Sequence, residues 1–395
     1  MQSLNITRTN GNLTRSLPGK DHISGLVFYS ATLPTVEEGT AGFTATERIH
    51  AISSIETAEK YGITATAAAW ETKVLHYILE SIFKKNPGVN LYVGIFKPAS
   101  GTNAFSEIKQ IQNHARGEIR QVGVWNGAVE LSETIVNSLQ SVRTTLEAQN
   151  KPLIILYAPK VTDVTSLPTD LAKIGRNGVS VIIGQDGAGV AAELYADAGN
   201  TTKASVSALG DLLGAVSRAK VHESIAWVES FPTNISVPAF GDGKKYRDLD
   251  EAVIETLDSS RYIFLRTYDG LAGSFFNDNH NLDVPTSDYA YISDVRTMDK
   301  AVRGIRTYLL PKLGRPMNVD KATGKLERTT VEHLITTGNK ALEDMEKAGE
   351  LSGYKFDIDP DQNILSTSRV RGVIKNVPVG VMRNLDLEIG YAASV

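Results

Sequence analysis

Regular alternation between strand and helix patterns is the feature that most constrains the fold of this chain. Short apolar runs at residues 153–156 and 179–183 have the length of strands, and helix patterns such as 68–85 and 130–148 lie between strand patterns. Uninterrupted apolar runs are typical of strands that are covered on both faces, as in parallel sheets. Strands that alternate with helices build layered α/β domains. The sequence therefore predicts a layered α/β domain with a mostly parallel sheet over residues 22–231.

A different order of patterns follows a turn-rich stretch at residues 232–243. Beyond it we predict two long helices and then three strands, at 291–313, 330–348, 353–358, 364–375 and 379–391. Helices followed by a run of strands are typical of α+β units. We therefore predict a C-terminal α+β module over residues 232–383. The two ends of the chain, residues 1–21 and 384–395, are predicted to be extended arms.

Local signals complete the prediction of secondary structure. Ser53 or Ser54 can cap the helix that carries residues 56–60, and Gly62 can end it. A short strand is predicted at 225–228. Further helices are predicted at 104–115, 169–175, 203–218 and 248–257.

Composition restricts the classes of partner. The 45 acidic and 41 basic residues are spread along the chain and leave a net charge of -4, so we expect no nucleic-acid partner. The absence of cysteine removes disulfides and thiolate metal sites and suits a reducing compartment. The N-terminus lacks the pattern of a secretory signal, and no apolar run approaches twenty residues, so neither export by a signal peptide nor membrane insertion is expected.

Two motifs resemble ligand sites but lack required residues. The glycine-rich loop at 184–189 follows a strand, yet it has neither the Lys-Ser/Thr pair of a phosphate loop nor the glycine spacing of a dinucleotide site. The alternating oxygens of 357–363 resemble a calcium loop, but Gln362 replaces its glycine and Ser368 its final glutamate. A surface turn is the better interpretation of each.

Catalytic and zinc-binding arrangements also lack support. His280 is surrounded by amides in residues 277–281, without the further ligands of a zinc site. Seven histidines leave a Ser-His-Asp triad open by composition, but no G-x-S-x-G elbow is present. We therefore predict no catalytic, metal-binding or cofactor-binding residues.

The two long C-terminal helices carry rows of charge. The apolar residues of helix 291–313 have helical spacing, and basic residues occupy its other faces. The basic residues singled out on the two helices are Arg296, Lys300, Arg303, Arg306, Lys340 and Lys347. Such rows of charge are typical of ordinary solvated helix surfaces. The alternative is that they bind a partner of opposite charge.

The order of these signals resembles the tail sheath proteins of contractile-tailed phages, particularly of Bacteroidetes-type phages, and of related contractile injection systems. Three stretches carry the likeness: the strand, turn and helix at 48–62, the helix, Gly turn and strand at 68–94, and the helix start at 287–296 that is followed by a second helix and terminal strands. The likeness extends over about residues 22–391.

The resemblance implies a structural protein of a virion, assembled in the bacterial host cytoplasm, and not an enzyme. It implies stacked hexameric rings around a tail tube, and contraction that drives the tube through a target envelope. The α/β domain would be subtilisin-like without catalytic residues, and the C-terminal module would face the tube, with the six cations above as candidates. The implied partners are other copies of this chain, the tail tube protein, and the baseplate and tail terminator proteins.

The resemblance further implies that both arms add strands to sheets of neighbouring subunits. The residues concerned are Leu4 and Ile6 in the N-terminal arm and Leu385, Leu387 and Ile389 in the C-terminal arm. The last three alternate with two acidic residues, which gives one apolar and one charged face, as an added strand requires. A strand in the subunit's own sheet is the alternative. For the whole chain, a doubly wound hydrolase and a static tail or baseplate protein are the other functions considered.

Overall fold

A six-stranded sheet forms the centre of the N-terminal half. The computed structural model describes residues 19–36, 42–99, 101–233 and 235–391. The strands of this sheet are β1 (Ser24–Tyr29), β2 (Ile49–Ile52), β3 (Leu91–Phe96), β4 (Gln121–Glu130), β5 (Ile154–Lys160) and β6 (Val179–Val181). They lie in the order β2-β3-β1-β4-β5-β6, and only β2 runs antiparallel to its neighbour. The predicted parallel-rich sheet is confirmed.

Helices cover both faces of this sheet. Those of the N-terminal half are α1 (Ile55–Lys60), α2 (Trp70–Lys85), α3 (Ser106–His114), α4 (Glu133–Ala148), α5 (Gly189–Ala196), α6 (Leu209–Arg218) and α7 (Glu251–Ser259). In β1, Leu26 and Phe28 join a core with α2 and α6, whereas Val27 and Tyr29 join a second core with α3, α4 and α7. Successive residues of a strand point to opposite faces, so the apolar run of β1 fills both cores.

The ends of α1 follow the predicted signals. The Ser54 side chain accepts a hydrogen bond from the Thr57 amide and caps the helix. Gly62, just beyond the helix, has a φ of 78°, and a Cβ there would lie 2.3 Å from the Thr35 carbonyl oxygen. Both the backbone conformation and the space therefore require glycine.

Close packing of α2 on α6 depends on two glycines. A Cβ on Gly210 would lie 2.4 Å from the Ile78 carbonyl oxygen, and one on Gly214 would lie 2.6 Å from the Lys85 Cβ. Asp211 is buried beside this contact, 3.9 Å from the Lys85 ammonium. Burial raises the pKa of Asp211 to about 6, although Lys85 acts in the opposite direction. The two helices can approach this closely only because α6 presents no side chain at these two positions.

Three local predictions for the N-terminal half are wrong. Residues 169–175 form an irregular segment that ends in a turn instead of a helix, because the Lys173 amide donates to the distant Leu282 carbonyl. Residues 225–228 form a turn instead of a strand, and α6 begins at Leu209, six residues later than predicted. Two small antiparallel sheets complete this half: β7 (Gly184–Asp186) with β8 (Pro238–Phe240), and β9 (Leu265–Arg266) with β10 (Phe275–Phe276).

Two long helices and a hairpin form the C-terminal module. Its elements are α8 (Ile292–Leu309), α9 (Arg328–Lys347), β11 (Leu351–Asp357), α10 (Ile364–Thr367) and β12 (Val373–Pro378). β11 and β12 pair antiparallel, and Leu351, Leu342, Met345 and Ala301 form a small core beneath them. No helix within the described ranges has both the length and the apolar character needed to cross a membrane.

The predicted strands after β11 require correction. The predicted strand 364–375 is the short helix α10 followed by β12, and the predicted strand 379–391 has no regular secondary structure. The reason lies in the register of the hairpin. Pro378 pairs with Leu351, where β11 begins, so residues beyond Pro378 extend past the end of β11 and have no strand beside them among the described residues. A strand pattern without a neighbouring strand remains an extended segment.

Substitution of Gly210 by alanine tests the packing of α2 on α6. The added methyl group would collide with backbone, which cannot swing away, so we expect the free energy of unfolding to fall by about 1–3 kcal/mol. Urea denaturation measures the change. Gly101→Ala is the control, because a Cβ there meets nothing within 4 Å. An unchanged stability of Gly210→Ala would contradict the packing described.

Candidate functional site

The C-terminal arm presents its apolar side chains to solvent. Leu385, Leu387 and Ile389 are 64%, 80% and 97% exposed. Residues 379–391 make no regular secondary structure, so the predicted alternation lies on an extended segment without a partner strand among the described residues. Burial of a Leu or Ile side chain is worth about 1.5–3 kcal/mol, which this segment does not gain within the subunit. Leu4 and Ile6 of the N-terminal arm lie outside the described residues.

The β11–β12 hairpin, which precedes the arm in the chain, is a sheet with free edges among the described residues. Within the described ranges it has two strands, and neither has a second strand neighbour. Val373 and Val377 of β12 are exposed. An open edge offers unpaired backbone N–H and C=O groups to another chain. The exposed apolar arm and the open edges of the hairpin therefore lie in the same C-terminal part of the chain.

Arg383 holds the base of the arm against the N-terminal half. Its Nε donates to Asp278 Oδ2 over 3.0 Å, and its Nη2 donates to Asn279 Oδ1 over 3.3 Å. The guanidinium lies over the Tyr291 ring, 3.4 Å from its centroid. This combination of ion pair and cation–π contact was not predicted from the sequence. The only available signal was one arginine in a weakly patterned segment.

Three of the six predicted tube-facing cations are bound within the subunit. Arg296 is 4% exposed and donates to the Ala219 carbonyl over 3.2 Å. Lys300 forms ion pairs with Asp21 at 2.7 Å and with Glu350 at 2.5 Å, and Arg303 lies 3.6 Å from Asp21. Buried cations need such partners to offset their lost hydration. The prediction that Arg296, Lys300 and Arg303 face a partner is corrected, because they connect α8 to other parts of the chain.

The same face of α8 carries a buried carboxylate. Asp299 Oδ1 lies 3.4 Å from Arg143 Nη2 on α4. Burial raises the pKa of Asp299 to about 6, although Arg143 favours its charged form. At Asp21, burial would raise the pKa, but the positive charges of Lys300, Arg303 and Arg296 outweigh it and lower the pKa. We call these residues the α8 charge network: Asp21, Arg143, Arg296, Asp299, Lys300, Arg303 and Glu350.

The other three predicted cations remain at the surface. Arg306 and Lys340 are exposed, and neither has an ion-pair partner among the residues that the structure describes. Lys347 is also exposed and lies 2.5 Å from Glu343. Arg315 is a further exposed cation, close to the end of α8, that the sequence interpretation did not select. The free positive charge therefore lies toward the distal end of α8 and on α9.

The motifs rejected as ligand sites have structural explanations. In the loop at 184–189, Asp186 Oδ1 accepts a hydrogen bond from the Ala188 amide over 2.9 Å, so the chain's own carboxylate occupies the place of an anion. Asp359 accepts from the Asp361 amide in a turn. His280 Nε2 lies 3.4 Å from Asp258 Oδ1. Within the described ranges no cluster of three metal-ligating side chains occurs, and no serine hydroxyl hydrogen bonds with a histidine ring.

Family models cover both halves of the chain. Residues 1–280 match the model described as DUF2586, N-terminal domain, and residues 288–395 match DUF2586, C-terminal domain. The chain belongs to the DUF2586 family. No curated protein matches the sequence of this DUF2586 protein.

Solved structures share the fold of this DUF2586 protein along nearly its whole length. A chain of the anti-feeding prophage (AFP) baseplate matches at 12% identity and a TM-score of 0.64, covering 99% of this chain and 100% of that one. A PVC sheath chain, from an extracellular contractile injection system in the contracted state, matches at 12% identity and a TM-score of 0.59, with 99% of each chain covered. The sheath tail protein Lin1278 from Listeria innocua matches at 10% identity and a TM-score of 0.50, covering 92% and 96%. The predicted resemblance to contractile sheath proteins is confirmed at the level of the fold.

Replacement of Asp299 by asparagine tests the α8 charge network through pH. The folded state retains the Asp299 proton up to a pKa of about 6, whereas the carboxyl of an unfolded chain loses it near its ordinary pKa of 3.8. The contribution of Asp299 to the unfolding free energy of the wild type therefore falls as pH rises from about 4 to 6. The asparagine variant has no carboxyl at this position and does not show this fall. We expect the unfolding free energy of Asp299→Asn, relative to wild type, to rise by about 2–3 kcal/mol between pH 4 and pH 7.5.

Urea denaturation at several pH values measures this difference. Asp386→Asn, which removes an exposed carboxylate, is the matched control. A constant difference between Asp299→Asn and wild type across this range would contradict the buried, protonated carboxyl.

Proposed function

We propose that this protein is a non-enzymatic structural subunit of a contractile tail sheath, which polymerises as stacked hexameric rings around a tail tube and contracts to drive the tube through a target envelope. The observation that carries the proposal is the full-length likeness to the PVC sheath chain, with 99% of both chains covered. A single shared domain would leave the C-terminal module unexplained, whereas here both halves and their connection correspond. No nucleotide or metal is required, because contraction draws on two packings of one lattice.

The joint between subunits is the C-terminal arm. In this proposal Leu385, Leu387 and Ile389 add a strand to the open edge of the β11–β12 hairpin of a second copy. The exposed apolar side chains of the arm and the unpaired edge of the hairpin support this joint. The arm needs a strand to pair with, and the edge has free backbone N–H and C=O groups. Ordering the arm costs about 1–2 kcal/mol per residue, comparable to what its apolar side chains gain on burial. A single joint is therefore weak, and the lattice holds by repetition. Leu4 and Ile6 supply a second added strand.

The tube-facing surface is the positive end of the C-terminal module. Arg306 and Lys340 are its principal residues, with Lys347 beside them, and they would meet an acidic surface of the tail tube protein. Arg306 and Lys340 are exposed and have no ion-pair partner among the described residues, which supports this choice, because free cations interact over several ångströms with an opposite charge.

Further parts of the proposal follow from the resemblance. They are the division into residues 1–21, 22–231, 232–383 and 384–395, a subtilisin-like layering of the α/β domain, and contacts of the terminal rings with baseplate and tail terminator proteins. The protein would be a component of the virion or particle and would assemble in the bacterial cytoplasm. A static baseplate protein is the second candidate, favoured by the match to an AFP baseplate chain at a TM-score of 0.64.

Removal of the apolar face of the arm tests the joint. We expect the triple variant Leu385→Ser, Leu387→Ser and Ile389→Ser to fold normally but to form no tubes in negative-stain electron microscopy, because the added strand loses its buried side chains. Truncation of residues 384–395 should have the same effect.

The control variant carries Asp386→Asn and Glu388→Gln on the opposite face of the same segment and should form tubes like wild type. Normal tubes from the triple variant would show that the arm is not the joint. Discrete rings without tubes from wild-type protein would favour the static baseplate candidate.

Charge reversal tests the tube-facing surface. The variant Arg306→Glu with Lys340→Glu should still polymerise, but its co-sedimentation with preformed tail tubes should fall at least several-fold, because attraction becomes repulsion. The control Lys60→Glu with Lys97→Glu changes the net charge equally on exposed residues of the N-terminal half. Equal tube binding by both variants would place the contact elsewhere.

A further inference from the structure

We infer that Arg383 is a latch that fixes the point at which the C-terminal arm leaves the subunit, and so sets the distance that the arm can reach toward a second copy. The functional importance of this reach rests on the proposed exchange of arms between copies. The latch itself is formed within one subunit. Three features of the subunit support it. They are the contacts of Arg383, the residues on which its side chain rests, and the course of the chain on either side of it.

The latch combines three kinds of contact in one side chain. Arg383 forms an ion pair with Asp278, a hydrogen bond with Asn279 and a cation–π contact with Tyr291. Asp278 and Arg383 are both largely shielded, with 15% and 29% of their side chains exposed. Salt screens shielded pairs less than surface pairs, so the latch should remain closed at physiological ionic strength.

The platform under Arg383 is itself held firmly. Arg261 also lies over the Tyr291 ring, 4.7 Å from its centroid. The Arg261 side chain is buried and donates to the Asn281 and Ala290 carbonyls. The Asn279 amide nitrogen donates to Ser293 Oγ over 3.0 Å at the start of α8. Arg383 is therefore attached to the region where α8 meets the N-terminal half.

On either side of Arg383 the chain is held by few polar contacts within the described residues. Within residues 379–391, Arg383 is the single described residue whose side chain hydrogen bonds with the rest of the subunit. Met382 before it is 76% exposed and Leu385 after it is 64% exposed. Between the hairpin and the latch, residues 379–384 border a cleft of about 960 Å³ that Trp227 and Tyr268 also line. Val379 and Val381 are half-buried at this cleft, and Arg383 supplies the side-chain hydrogen bonds that hold the segment there.

Opening the latch would lengthen the arm. With Arg383 bound, the free part begins at residue 384. With Arg383 released, residues 379–383 also become free, and at about 3.3 Å per extended residue they add roughly 16 Å of reach. The joint between copies could then survive an increase in their separation without losing its strand pairing. The latch thus gives the arm two lengths, a short one when bound and a long one when released.

Distance measurement within one subunit tests the latch. The chain contains no cysteine, so spin labels can be placed at Met382→Cys, next to the latch, and at Glu255→Cys without removing a native residue of that type. In dilute, unassembled full-length protein we expect a narrow distance distribution by pulsed dipolar spectroscopy. Arg383→Ala should broaden the distribution at least twofold and change its mean, with unfolding by urea unchanged. Arg383→Lys keeps the charge near Asp278 but loses the planar contact with Tyr291, and should give an intermediate width.

Arg371→Ala, which removes an exposed arginine of the same module, is the control and should match the parent. A broad distribution in the parent, or a narrow and unshifted one in Arg383→Ala, would overturn the latch. Because the measurement uses single subunits, its outcome does not depend on whether the protein forms tubes. Loss of the latch and loss of the proposed sheath function can therefore be told apart.

Discussion

Burial of the charged first half of α8 against the α/β domain is the interaction on which the rest of the molecule depends. Arg296, almost fully buried, is satisfied by the main-chain carbonyls of Ala219, Lys220 and Asp21. A guanidinium removed from water is tolerable only with such partners, and moving α8 would leave it uncompensated. Lys300 binds Asp21 and Glu350, so the same network includes the turn that leads into β11. The start of the hairpin is therefore connected to the α/β domain through this network.

Two features at the surface of this subunit lack partners among the described residues: the edges of the β11–β12 hairpin and the apolar side chains of the arm. An open sheet edge and a free apolar segment are both liabilities for a protein that works alone, because they favour unplanned association. In the proposed function they are the two halves of one contact between copies. The α8 charge network stabilises the subunit, and Arg383 attaches the arm to it. The proposed contractile lattice would use both properties, since its subunits must change their packing without unfolding or separating.

Much of the frame could be predicted from the sequence, for physical reasons that particular elements show. The run Leu26–Val27–Phe28–Tyr29 fills cores on both faces of the sheet, and such a run has few other solutions. Ser54 and Gly62 act through their immediate neighbours, so the helix ends that they determine are visible locally. The strand and helix order of α8, α9 and β11 is likewise encoded in local periodicity.

The candidate site was less predictable because its decisive contacts are distant in sequence. Helical spacing distinguishes charged from apolar positions in α8, but it does not show that Arg296 meets Ala219 whereas Arg306 meets solvent. The alternation of Leu385, Leu387 and Ile389 indicates strand propensity, but a strand exists only beside another strand, and the described part of the subunit supplies none there. Arg383 acts through Asp278 and Tyr291, residues about a hundred positions earlier in the chain, and no local pattern announces that pairing.

A cryo-electron microscopy map of polymerised full-length protein tests the central claim, that the arm joins subunits, most directly. At a resolution that traces the backbone, the account predicts that residues 385–389 of one copy are hydrogen-bonded as an added strand to the β11–β12 hairpin of another. A map in which these residues pack on their own subunit, or remain unpaired while the copies contact through other surfaces, would contradict it.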